Sequence, residues 1–218
     1  MTADPQDAHI GQDDIGSVYD RIAPVFNVWA WLTESRARSR ALELAGVENG
    51  QDIIEVAVGT GAAFYAMAEQ NPDGSNKGID ISPGMLYKAK RRLQKLSHTN
   101  WSLNTGTAFH LDMPDESADL LMNNYMFDLL SFKDMDPVLL EFKRVLRKGG
   151  KLVLAGMTQG ERPGSHLYEK VYRLSPKTMG GCRGVQMSGH LLLHGFKLET
   201  REYFQQLLFP SEVILARK

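Results

Sequence analysis

The sequence predicts an α/β fold built on a doubly wound parallel sheet. Three observations carry that expectation. Ile53, Ile54, Val56 and Val58 form an apolar, mostly β-branched run, which suits a strand covered on both faces. That run passes through Gly59-Thr60-Gly61 into the helix-forming stretch Ala62 to Glu69, so a helix N-terminus points back at a glycine turn. Downstream, short apolar runs continue to alternate with helical patterns as far as residue 156.

The whole chain sets bounds. Its 218 residues suffice for one α/β domain with a sizeable core and a small appendage, so residues 1–218 are expected to form a single domain. The formal net charge of −1 supplies no global basic field for nucleic acid. Cys182 is the only cysteine, which excludes an intramolecular disulfide, and no His/Asp/Glu cluster has ligand spacing, so no metal is expected. No apolar run reaches the length of a membrane span, and Met1 to Gln12 is polar and acidic rather than signal-like; a cytoplasmic protein is expected. The sequence carries no signal for an oligomeric state.

Taken in order, residues 1–13 read as a tail, and residues 1–45 as tail and helical lid together. Ser17 to Leu32 is aromatic-rich, with Tyr19, Phe26, Trp29 and Trp31, and Pro24 breaks it into two pieces. Thr33 to Leu44 continues as a helix whose Arg36, Arg38 and Arg40 read as a solvated face, with an anionic headgroup as the minor alternative. After the glycine turn, Asn76 to Ser82 is a second strand that carries Asp80 at its tip. A glycine turn followed by an acid at the tip of the next strand describes a nucleoside site: the backbone comes close to the ligand and the carboxylate meets the ribose hydroxyls.

Ser82-Pro83 places a serine N-cap and an N1 proline on a helix that runs to Leu96, basic outside and apolar inside. Trp101 to Thr105 is a third strand, and Asp119 starts a fourth. Asp136-Pro137 to Arg147 is an amphipathic helix that ends in the turn Lys148-Gly149-Gly150, ahead of a fifth strand at Lys151 to Gly156. Residues 157–190 have weak periodicity and eight glycines or prolines. They read as a substrate-side insertion with a helix at His166 to Leu174, in which Arg183 either points into the site or stays exposed on a turn. His190 to Gly195 is a short helix. Phe196 to Phe204 and Val213 to Ala216 are the closing strands, joined through Phe209-Pro210-Ser211.

The run Glu55-Val56-Ala57-Val58-Gly59-Thr60-Gly61 resembles motif I of class I S-adenosylmethionine methyltransferases, D/E-x-G-x-G-x-G, with Ala57 in place of the first glycine. Phe64, standing where a dinucleotide site wants its third glycine, sets NAD or FAD aside. Ser17 to Leu32 resembles the segment that precedes motif I in quinone-biosynthesis methyltransferases and phospholipid N-methyltransferases, where it lids the active site; two ordinary helices covering the sheet would read the same way. Gly106 to Leu121 resembles the family's G-D-A-x-x-L-P stretch, with Thr107 in place of the acid that meets the adenine amino group. Leu139 to Leu154 resembles the family's L-x-E-x-x-R-V-L-R-x-G-G-x-L-V-L scaffold.

The resemblance covers nearly the whole chain. It implies a Rossmann-like seven-stranded sheet with a C-terminal antiparallel hairpin and an N-terminal helical lid. It implies S-adenosyl-L-methionine as cofactor, held by Glu55, Ala57, Gly59, Gly61, Asp80, Ile81, Met85, Thr107, Ala108, Asn123 and Tyr125. It implies a small or lipid-like acceptor (a quinone precursor, a lipid amine or an aromatic metabolite) and leaves room for peripheral membrane contact. A base is needed only if the acceptor must lose a proton; the candidates are Tyr19, Asp128, His110 and His166. The competing reading is a non-catalytic protein of the same fold, a regulator or partner subunit.

Overall fold

The computed structural model describes residues 33–98, 100–161, 183–207 and 209–218. Tyr19, the aromatic segment before residue 33, His166 and Cys182 lie outside them.

Residues 33–45 form the first described helix, α1. Ala37, Ala41 and Ala45, four residues apart, make its buried stripe. There follow β1 (Asp52–Val56), α2 (Ala62–Gln70), β2 (Ser75–Asp80), α3 (Pro83–Leu93), β3 (Trp101–Thr105) and β4 (Ala118–Asn124). A 3-10 turn at Phe127–Leu129 leads into α4 (Phe132–Val145), β5 (Leu146–Met157), α5 (Met187–Leu193), β6 (Lys197–Gln206) and β7 (Phe209–Arg217). The strand order is β3-β2-β1-β4-β5-β7-β6. The first five strands are parallel, and β7 runs antiparallel between β5 and β6. This is the expected seven-stranded sheet with its closing hairpin.

Both faces of the sheet are covered. Ala37, Phe64, Met67, Ala89 and Leu93 from α1, α2 and α3 pack on one side; Leu139, Phe142 and Leu191 from α4 and α5 pack on the other. Beyond the C-terminal ends of β1, β2 and β4 the chain order reverses across the sheet. An open α/β sheet forms its ligand crevice there.

Several boundaries differ from the sequence reading. α3 starts as expected, with Ser82 Oγ accepting from the Met85 N–H at 3.1 Å, but stops at Leu93. α4 begins one turn early, at Phe132, with Pro137 inside it. It ends at Val145, because Leu146 is already fully buried and pairs with Ala118. Lys148-Gly149-Gly150 is therefore an irregularity within β5, with Gly149 at φ 76, and not a helix terminus. Phe209, Pro210 and Ser211 belong to β7, opposite Gln206, Gln205 and Phe204; the reversal falls just before them, where Leu207 takes φ 55. Residues 183–190 are tied to the sheet through Val185 N–H to Met157 O at 2.9 Å and Met187 N–H to Glu212 Oε1 at 2.8 Å.

Arg183 takes neither expected place. It is 3% exposed, stacks 4.1 Å over the Phe132 ring and donates to Leu130 O. Asp119 is structural: it accepts from the Asp52 N–H at 2.9 Å and pairs with Arg147 at 2.5 Å.

Candidate functional site

The turn after β1 is left-handed at three alternate positions: Ala57 (φ 60), Gly59 (φ 56) and Gly61 (φ 75). That geometry explains a pattern of small residues two apart. Ala57 bears a strain of about 1 kcal/mol that glycine would avoid. The two glycines do different work. A Cβ on Gly59 would meet nothing within 4 Å, so it would project into open space on the cleft wall. A Cβ on Gly61 would come 2.9 Å from the Ala89 Cβ; Gly61 is off the cleft wall and lets α2 and α3 approach. Gly78 fills a third role. Its absent Cβ would lie 3.3 Å from the Phe64 ring and 2.6 Å from Leu103, so Phe64 rests on a glycine of β2. The close packing given by the third glycine of a dinucleotide site is moved from helix to strand.

Asp80 is 7% exposed at the tip of β2. Its Oδ2 accepts from the Gly59 N–H at 2.6 Å and its Oδ1 from the Ser82 N–H at 2.9 Å. The acid thus latches the glycine turn to the tip of the second strand.

The cleft above these elements encloses about 1160 Å³, counted out to its open mouth. Of the eleven residues expected at a cofactor site, nine line it: Glu55, Ala57, Gly59, Asp80, Ile81, Met85, Thr107, Ala108 and Tyr125. Gly61 and Asn123 do not. Asn123 turns its amide away, donating to Val56 O at 2.8 Å, and Asn124 occupies the wall instead. Alternation along β4 carries no clue to this choice, because both of its faces are buried. Arg38, Thr60, Phe109, Met126, Leu129 and Leu130 complete most of the wall. Arg38 is the one that sequence reading placed in solvent. Arg40, its neighbour on the same helix, does reach outward, to Glu202 and Glu43.

The polar part of the wall is uneven. Glu55 is 2% exposed; its Oε1 accepts from Asn124 Nδ2 at 3.1 Å, while its Oε2 and the Asn124 Oδ1 are buried with no hydrogen-bond partner. Burial pushes the Glu55 carboxyl up to about 8, and the Asn124 bond and Arg38 charge only partly oppose this. Burial likewise raises Glu34 to about 7, against the pull of Arg38 beside it. Tyr125 sits at φ 52 with its hydroxyl 2.9 Å from Ser211 Oγ, and burial holds that hydroxyl well above its ordinary range. Of the candidate bases, His110 is exposed and off the wall. Asp128 is 1% exposed and likewise off the wall, in the turn that supplies Leu129 to it. Tyr19 and His166 fall outside the described residues.

A family model described as a methyltransferase domain matches residues 48–198. The chain belongs to that methyltransferase domain family. Among curated relatives, the demethylmenaquinone methyltransferase of Tropheryma whipplei is 29% identical over 153 residues, 68% of this chain and 61% of that protein. The Listeria monocytogenes protein of the same description is 28% identical over 158 residues, 70% of this chain and 66% of its own. The matched part thus spans just under two thirds of these relatives. Among solved structures, the cyclase SpnF superposes with a TM-score of 0.76 at 18% identity, over 98% of both chains. A Bacillus halodurans protein described as a putative methyltransferase gives 0.70 at 18% identity, over 83% of this chain and 98% of that one. At such identities these superpositions establish the fold alone.

Membership of this methyltransferase family implies S-adenosyl-L-methionine as cofactor, and the cleft can be tested against that molecule. A ribose needs a carboxylate at the tip of β2, and Asp80 is there. The cofactor backbone needs an uncluttered approach to the turn, and Gly59 leaves open space. The cofactor's ammonium group offers three donors, and Glu55 Oε2 with Asn124 Oδ1 supplies two unpaired buried acceptors on the wall. Ile81 (45% exposed) and Met85 are apolar surfaces for a base. The residues present fit the group. Among the described residues no His/Cys/Asp/Glu group could hold a metal, and no helix is long and apolar enough to cross a membrane.

Proposed function

We propose that this protein transfers a methyl group from S-adenosyl-L-methionine to a small, largely apolar aromatic acceptor of the quinone-precursor class. The observation that carries the reading is the coincidence, in one cleft, of the Asp80–Gly59 latch with a pair of unpaired acceptors, Glu55 Oε2 and Asn124 Oδ1. The demethylmenaquinone methyltransferase relatives favour a quinone-type acceptor over a lipid amine.

The bound cofactor supplies an electrophilic methyl group; the chain's own residues hold and align. Asp80 would take the ribose hydroxyls, Ile81 and Met85 would flank the adenine, and Thr107 would meet its edge as a neutral acceptor. Glu55 and Asn124 would receive the ammonium group. Val56, Met126, Leu129 and Leu130 make an apolar wall that keeps water from the reacting centre, where alignment and desolvation provide most of the acceleration. An acceptor hydroxyl must give up its proton as the methyl arrives. Of the described candidates, Asp128 would take it: it is off the wall itself but sits in the turn that supplies Leu129 to it. Tyr125 serves as wall and not as base, since its hydroxyl is tied to Ser211.

The test is methyl transfer from labelled cofactor across a panel of short-chain naphthoquinols, phenols and lipid amines. The reading expects label in the naphthoquinol product. Label only in the lipid amine, or in none, would contradict the acceptor assignment.

A further inference from the structure

Arg38 projects from α1 onto the cleft wall, where it is the only cation among the described residues. Its side chain is 21% exposed, and its Nη2 holds Glu34 Oε2 at 2.6 Å, one turn back on the same helix. A guanidinium carries five N–H donors in a rigid fork that matches a carboxylate. The bond to Glu34 uses one of them and fixes the direction of the arm. The charge of Arg38 reaches Glu55, whose carboxyl it favours in the ionised form, and reaches Tyr125.

The cleft therefore presents two chemistries on one wall. Glu55 and Asn124 offer unpaired acceptors to a cationic group, and Arg38 offers donors to an anionic one. A ligand carrying only an ammonium group would satisfy the first and leave the second facing apolar wall. A zwitterionic amino-acid end satisfies both.

We propose that Arg38 is the specificity residue that makes this protein select a methyl donor bearing a carboxylate, separating S-adenosylmethionine from its decarboxylated counterpart. The assignment rests on the cofactor reading above and goes past it, since it names the residue that reads one end of the ligand. Glu34 is the positioning residue for Arg38. It is itself close to half-protonated at neutral pH, so it holds the arm without cancelling the charge the ligand needs.

The experiment is a binding cycle on the full chain, by calorimetry, with two thioethers. One is S-adenosylhomocysteine; the other is its decarboxylated analogue, which keeps the ammonium group. The unmodified protein should prefer the first by roughly tenfold or more, as a desolvated charge-assisted pair gives. In Arg38→Met the preference should fall to about twofold or less, with Arg38→Lys between, since a point charge cannot make the forked contact. Arg38→Met also strips Glu34 of its cation, so Glu34→Gln/Arg38→Met is measured alongside, with the same collapse expected. Equal losses for both ligands in the two Met variants, or no preference in the unmodified protein, would overturn the assignment of Arg38. If neither thioether binds the unmodified protein, the cofactor reading falls and this inference with it.

Discussion

Cofactor binding should release a proton at Glu55. The buried carboxyl sits near pH 8 because burial penalises its charge and only the Asn124 amide donates to it. With that value about one molecule in ten carries the carboxylate at pH 7, and about one in a hundred at pH 6. The ammonium group of the ligand, with an ordinary value of about 8, remains protonated through this range. The pair that forms on binding is carboxylate with ammonium, so the protein must first lose its proton. The dissociation constant for S-adenosylhomocysteine should therefore drop about tenfold from pH 6 to pH 7. Titrations in buffers of different ionisation enthalpy should show close to one proton released per ligand bound. Glu55→Gln should bind more weakly and lose the pH slope; Glu34→Gln should keep it. A flat affinity from pH 6 to 7, or an unchanged slope in Glu55→Gln, would refute the placement of the ammonium group.

Three further outcomes follow from the geometry. Gly59→Ala should cost about 1 kcal/mol of stability through its positive φ, leave the protein folded, and cut ligand affinity, because its Cβ enters open space on the wall. Gly61→Ala should cost roughly 2–3 kcal/mol of stability through the Ala89 contact and the positive φ, with Ala89→Gly recovering part of it in a urea titration. Ala57→Gly relieves a left-handed alanine but loosens the unfolded chain. It should fall between neutral and about 1 kcal/mol stabilising, and a loss larger than that would mean the methyl group packs. The free protein should lose thermal stability as pH rises from about 5 to 8, since Glu34 and Glu55 are raised above their unfolded values and the folded state binds more protons in that window. The double variant Glu34→Gln/Glu55→Gln should flatten that decline, read by differential scanning calorimetry.

The fold was legible because its signals are local and repeated. β-branched runs such as Ile53 to Val58, the Ser82-Pro83 helix start and the small residues two apart after Glu55 each point to one backbone geometry. The place of Asp80 on the cleft was legible because it stands at the tip of the strand that follows the glycine turn. Errors arose where a choice depends on distant partners. Asn123 and Asn124 are chemically identical, and only the register of β4 between β1 and β5 decides which faces the cleft. Arg38 and Arg40 are two residues apart on one helix; the cleft and Glu202 claim one each, and no periodicity foretells that. Gly61 reads as a ligand contact because its motif is named for ligands, while the neighbour it makes room for is Ala89. Phe209-Pro210-Ser211 has turn composition, so the sequence places the hairpin turn there, whereas its pairing and burial serve β7.

The most direct measurement is a calorimetric titration of the full chain, unmodified and as Asp80→Ala, with S-adenosylhomocysteine. One ligand per chain should bind the unmodified protein. The variant should lose roughly tenfold or more in affinity, as removal of a charge-assisted contact to the ribose does, while its circular dichroism stays that of a folded α/β protein. No binding to the unmodified protein at high micromolar ligand, or equal affinity in a folded Asp80→Ala, would contradict the assignment of this cleft to the methyl donor.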